Sequence, residues 1–167
     1  MGNILRHTGI NIGAISSVSW IFREDVIGFT YNDSSLLCSV TPRIGAGWNS
    51  VYGTPETIQL DSEQQDTPAG LKNIYKLKML VPKDRREVET ELLGMNGRLL
   101  MVRVTDKNGV IRILGSPENP MKLTCKLLKP PAMEGFNGYE LLFSGEMSKP
   151  AGFMVVGTGG IPDDNQL

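Results

Sequence analysis

Residues 99–114 read LLMVRVTDKNGVIRIL, and their pattern decides the fold class. Leu100, Val102 and Val104 fall on one side of an extended chain and Leu99, Met101 and Arg103 on the other, because successive side chains of a strand alternate. Asp106-Lys107-Asn108-Gly109 follows as a turn, in which Asn108 and Gly109 tolerate the positive φ that hairpin closure often demands. Val110 to Leu114 then returns as the partner strand.

Toward the C-terminus the same period continues. After the turn residues Gly115-Ser116-Pro117-Glu118-Asn119-Pro120, Met121, Leu123, Cys125 and Leu127 alternate with Lys122, Thr124 and Lys126. Pro130-Pro131 and Gly135 interrupt pairing, and Tyr139, Leu141 and Phe143 then alternate with Glu140, Leu142 and Ser144. A fourth strand closing a meander is predicted. Upstream, Ile74 to Val81 is a strand with one lysine-bearing side, ended by Pro82. Asp84 and Glu87 have capping-box spacing, with Val88 and Leu92 at i, i+4 and Gly94 at C′, so one short α-helix is expected over about residues 84–93.

The first third is also strand-like. Val18, Trp20 and Phe22 alternate with Ser17, Ser19 and Ile21, which makes Trp20 a core residue, and Val26–Tyr31 and Leu36–Thr41 are further short strands. Thr41 to Pro55 (TPRIGAGWNSVYGTP) combines Gly, Ser and Pro with Ile44, Trp48, Val51 and Tyr52, the pattern of a long exposed loop with an apolar tip outside the core. Thr57–Leu60 is a further candidate strand, and Asp61–Gly70 is a polar tip before the Ile74 strand. The fold class expected is mainly β, an antiparallel β-sandwich or barrel-like meander with one short helix. Residues 1–156 form one domain beginning with an arm of about residues 1–9, and residues 157–167 form a flexible tail.

Composition narrows the chemistry. The 167 residues hold one histidine and two cysteines, too few for ordinary metal or nucleophile chemistry. His7 lies in the N-terminal arm, without the fixed neighbour that general acid/base work requires. Cys38 and Cys125 stand 87 positions apart on strand patterns and read as ordinary strand residues of a reducing compartment. Gly157-Thr158-Gly159-Gly160 lacks the Gly-Lys-Ser/Thr of a phosphate loop, and the acid pairs Glu24-Asp25 and Asp163-Asp164 read as solvated surface. Seventeen basic against 18 acidic residues give a net charge of −1, without the concentrated basic face that a duplex grip needs. No long apolar run suits a membrane span. The expectation is a non-enzymatic protein without cofactor or metal, made in the cytoplasm.

The stretches Val102 to Gly109, Ile113 to Pro120 and Asn137 to Glu146, with Pro150-Ala151, resemble small structural proteins of tailed bacteriophages and prophages. In that family a D-x-N-G hairpin, an L-G-x-x-x-x-P turn and an N-G-Y-x-x-x-F-x-G strand recur. The opening arm and the Val18–Val26 region look similar too, so the likeness spans most of the chain. The resemblance implies a virion subunit of the tail, tail tube or head-tail connector, made in the bacterial host and assembled into rings or tubes through long loops and terminal arms. Its partners are further copies of itself and other virion proteins. No membrane and no specific nucleic-acid contact are implied, although a tube lumen could touch DNA non-specifically. Candidate interface residues are Ile44, Trp48, Val51, Tyr52, Met133 and Phe136, since exposed apolar tips mark interfaces. The alternative is a soluble β-sandwich module that recognises glycan or protein through the Trp48/Tyr52 loop.

Overall fold

The computed structural model, described over residues 13–68, 70–131 and 135–154, builds outward from the same hairpin. Its strands are β1 (Ile15–Phe22), β2 (Val26–Asn32), β3 (Leu37–Pro42), β4 (Asn49–Val51), β5 (Gln59–Thr67), β6 (Gly70–Pro82), β7 (Leu99–Asp106), β8 (Ile111–Leu114), β9 (Met121–Leu128), β10 (Gly138–Met147) and β11 (Gly152–Met154). One α-helix, α1 (Arg86–Met95), lies between β6 and β7. The fold is mainly β and mostly antiparallel, and the sheet does not close into a barrel. The expected N-terminal arm, His7, Met133 and the expected tail lie outside the described residues.

The β7–β8 hairpin forms as its sequence demands. The Asp106 carboxylate accepts from the backbone N–H of Asn108 (2.8 Å) and Val110 (2.9 Å), which fixes the turn. Of the two turn residues expected to tolerate positive φ, only Gly109 adopts it, at +81°.

β9 departs from a simple meander. It continues the line of β8 along β7, pairing Met121 with Leu100 and Lys122 with Leu99, and then diverges to pair with β10 from Lys122 to Leu128. Gly115, at φ +88°, opens the corner where the chain changes direction. The ladder thus bends at the two-residue β7–β9 junction. On one side lie β4, β1, β7, β8, β11, β3 and β2, and on the other β9, β10, β6 and β5.

Two clusters of buried side chains follow from that bend. The larger lies between the two halves and includes Val18, Trp20, Leu77, Met79, Leu100, Val102, Leu114, Leu141 and Phe143. The smaller lies behind the first half and is formed by Ile21, Cys38, Val40, Met101 and Ile113, with Trp48 and Met154 packed against it. β1, β7 and β8 therefore bury both faces, although Met101 sits on what reads as a mixed face. Trp20 is a core residue at 7% exposure, as its alternation predicts.

Four expectations are corrected. Asp84 does not cap α1: the helix starts after Arg85, with no side-chain cap. The Asp84 carboxylate is taken instead by the Tyr139 hydroxyl (2.8 Å) and the Lys129 ammonium (2.7 Å), since a buried phenol needs an acceptor and a charged donor outbids one backbone N–H. The helix also runs past Gly94 to Met95, with Asn96 as its C-cap, because burial of Met95 extends the apolar stripe of Val88 and Leu92 by three residues, and Gly97 at φ +75° follows the cap. Residues 41–55 are not one free loop, since β4 pairs with β1 within them. Asp61 to Thr67 is strand rather than tip, paired residue by residue with β6 as far as Thr67–Gly70.

Candidate interaction surfaces

The six residues expected at an interface part company in the fold. Ile44 is 98% exposed at the tip of a tight turn closed by a hydrogen bond from the Ala46 N–H to the Arg43 carbonyl (2.9 Å), and Tyr52 is 68% exposed. Val51 packs against the larger buried cluster and Trp48 against the smaller, so both help to hold the fold. Phe136 is half-buried and folds back over Gly138. Met133 is outside the described residues.

Trp48 and Tyr52 have different surroundings. The Arg103 guanidinium lies 5.0 Å from the centre of the Trp48 ring and donates to the Ser19 hydroxyl (3.4 Å). No carboxylate pairs with it among the described residues, and burial lowers its pKa. Tyr52 instead lines a groove of about 430 Å³ between β4 and α1, with Trp20, Val88, Leu92 and Leu141. No ring contact links the two aromatics among the described residues.

Sequence reasoning did not single out the strand edges of the four-strand half. Among the described residues β5 pairs only with β6. β9 pairs with β10 along its length, but beyond Lys122 its other edge has no ladder partner among the described residues. These are the two ends of the four-strand half β9-β10-β6-β5. Along β5 (QLDSEQQDT) stand Asp61, Glu63 and Asp66 with no basic residue. Along β9 (MKLTCKLL) and just after it stand Lys122, Lys126 and Lys129 with no acidic one.

Cross-strand register puts the opposing charges on one face. Asp61 is opposite Lys76, Lys76 opposite Ser144, and Ser144 opposite Lys122. Within that face Lys78 pairs with Glu140 (2.9 Å) and Lys72 with Glu146 (2.6 Å). Lys122 and Lys126 at one edge, and Asp61 and Glu63 at the other, have no ion-pair partner among the described residues. The exit of β9 is anchored by the Asp84 cluster, where Lys129 and then Tyr139 hold the carboxyl below its ordinary pKa. The Tyr139 phenol is pushed up to about 12, chiefly by its hydrogen bond to Asp84.

Among the described residues no three His, Cys, Asp or Glu side chains gather as a metal site would need, and no helix is long and apolar enough to cross a membrane. No family model, curated protein or solved structure matches the chain.

Proposed function

We propose that this chain is a structural subunit that assembles head to tail with copies of itself, as a tail, tail-tube or head-tail connector component of a phage or prophage would. The observation that carries the reading is the four-strand half with free edges of opposite charge, acidic along β5 and basic along β9. Successive antiparallel pairings make β5 antiparallel to β9, so the β9 edge of one copy can accept the β5 edge of the next as an ordinary antiparallel neighbour. Lys126, with Lys122 standing where the free stretch of β9 begins, would then face Asp61 and Glu63 of the adjoining copy on one face of a continuous sheet. An interface joining two different edges propagates, closing into a ring if the rotation per copy allows and into a filament if it does not. The phage assignment rests on the sequence resemblance.

Light scattering and negative-stain imaging across a salt series test this reading. The protein is expected to form rings or tubes at low salt and to dissociate as salt rises, since exposed ion pairs are screened. Lys122→Glu with Lys126→Glu should leave monomers, as should Asp61→Lys with Glu63→Lys. Combining all four changes should restore assembly, because each edge then meets its complement. A protein that stays monomeric at every salt and protein concentration, or reversals without effect, would refute the edge pairing. Reading frames for portal, capsid and tape-measure-like proteins beside the coding sequence would bear on the virion role separately.

A further inference from the structure

We infer that Arg103, held between Trp48 and Ser19, is the centre of a binding site for a single carboxylate. Arg103 is half-buried on β7, and its guanidinium lies 5.0 Å from the centre of the Trp48 ring. The one hydrogen bond its side chain makes among the described residues is the long one to the Ser19 hydroxyl (3.4 Å), and Ser19 is itself buried at 4% exposure. No Asp or Glu among the described residues is within ion-pair distance of it. Burial is the sole influence that moves its pKa, so no described charge compensates it. A guanidinium taken this far out of water without a counter-charge is unfavourable, and an anion that meets it relieves that cost.

Register sets the surroundings of the guanidinium. Ser19 lies opposite both Arg103 and Ser50, and Ser17 lies opposite Thr105, so four hydroxyl side chains share the face of Arg103. On its other side Arg103 is opposite Ile113, which is buried in the smaller cluster. The charge therefore stands where an apolar cluster gives way to a hydroxyl surface, with Ser17 and Ser50 exposed. The contact with the Trp48 ring uses no lone-pair acceptor, so the planar fork of N–H donors is left for a ligand, and a carboxylate matches that fork with two parallel hydrogen bonds. Charge selects the class. One guanidinium neutralises one carboxylate, whereas a phosphate group carrying about two negative charges would leave an excess beside Ile113. The surrounding hydroxyls can donate to or accept from the rest of the ligand. The carboxylate is that of a small organic acid or of an acidic side chain of a second copy, and the site does not depend on the edge pairing proposed above.

Nuclear magnetic resonance of the full-length chain tests the site, with sodium acetate as the probe and sodium chloride at matched ionic strength as the control. The Arg103 Nε–H, Ser19 amide and Trp48 indole resonances are expected to move together and saturate with acetate, and not with chloride. Arg103→Lys keeps the charge and loses the fork, so the acetate dissociation constant read at Ser19 and Trp48 should rise about tenfold, while unchanged β6 and β10 resonances report an intact body. Equal responses to acetate and chloride, no response at the three positions, or an unchanged constant in Arg103→Lys would overturn the site. The source of the carboxylate is read separately. If the three resonances also move as the unaltered protein is concentrated without acetate, and Arg103→Lys abolishes the movement, a second copy supplies it; if acetate alone moves them, a small acid does, and both results uphold the site. The Asp61→Lys, Glu63→Lys protein should bind acetate as the unaltered chain does, so failure of the edge pairing and failure of this site are told apart.

Discussion

Replacing Met101 by alanine tests whether the two buried clusters are one cooperative structure. Met101 is fully buried in the smaller cluster, and its neighbour Leu100 is fully buried in the larger one. Truncating a buried methionine to alanine costs about 2–5 kcal/mol through lost transfer energy and the cavity left behind, and about 3 kcal/mol is a central value. For a chain of this size each kcal/mol moves Tm by about 2–4 °C, so a fall of about 6–12 °C follows.

The two tryptophans allow each cluster to be read alone. Trp20 belongs to the larger cluster and Trp48 packs against the smaller. Fluorescence melts are therefore taken in a Trp48→Phe background, which leaves Trp20 as reporter, and in a Trp20→Phe background, which leaves Trp48. Within each background, Met101→Ala is compared with Met101. Both reporters should show the same fall, because β1, β7 and β8 supply both clusters: Trp20 and Ile21, Leu100 and Met101, Ile113 and Leu114 are chain neighbours on opposite faces. A Trp48 transition that drops by about 10 °C while the Trp20 transition stays in place would refute this reasoning and make the smaller cluster a separable unit.

Two smaller perturbations check particular elements by denaturant unfolding. Gly94→Ala should stabilise by about 0.5–1 kcal/mol, since Gly94 lies within α1 and its added Cβ meets nothing within 4 Å, whereas Gly97→Ala should destabilise by about 1–2 kcal/mol because its φ is +75°. Effects of the opposite sign would mean that the helix ends at Gly94 after all. The folded Tyr139 phenol keeps its proton up to about pH 12, against about 10 in the unfolded chain, so its contribution is complete below pH 10 and is lost as pH rises from 10 to 12. The difference in urea midpoint between the unaltered protein and Tyr139→Phe should therefore shrink across that window, and a constant difference would mean that the Asp84 hydrogen bond does not set the titration.

Much of the fold legible in the sequence is where one face of an element is wet. β6, β9, β10 and the Val88/Leu92 stripe of α1 show their period because lysines or polar residues mark the solvent side, whereas β1 and β7, buried on both faces, are marked by the serines and Arg103 among their apolar residues. β5 is hidden for the opposite reason. From Asp61 to Asp66 it is exposed, so nothing in its composition alternates, and only the ladder with β6 makes it a strand. β4 and β11, at three residues each, are too short to show a period, and β11 owes its place to pairing with β3 and β8, about 115 and 40 residues earlier in the chain. Asp84 has the spacing of a cap, but the Tyr139 that claims it lies 55 residues away.

The interaction surface was half legible for a related reason. The acidic tract of β5 and the basic tract of β9 stand in the sequence, but a charge on a strand means little until the strand is known to be an edge, and that depends on the order of all eleven. Once the order is known, sign decides between two readings. Lysines on a free edge ordinarily protect against pairing, and β9 alone fits that device. Two edges of the same sign would extend the protection to every pairing of copies. Here the signs differ, so β9 against β9 and β5 against β5 are both opposed by like charge, while β9 against β5 is favoured. A two-fold dimer through either edge is therefore disfavoured, and the permitted contact is the one that propagates. On the proposed reading, edge charge would discourage indiscriminate sheet growth and at the same time give assembly a direction.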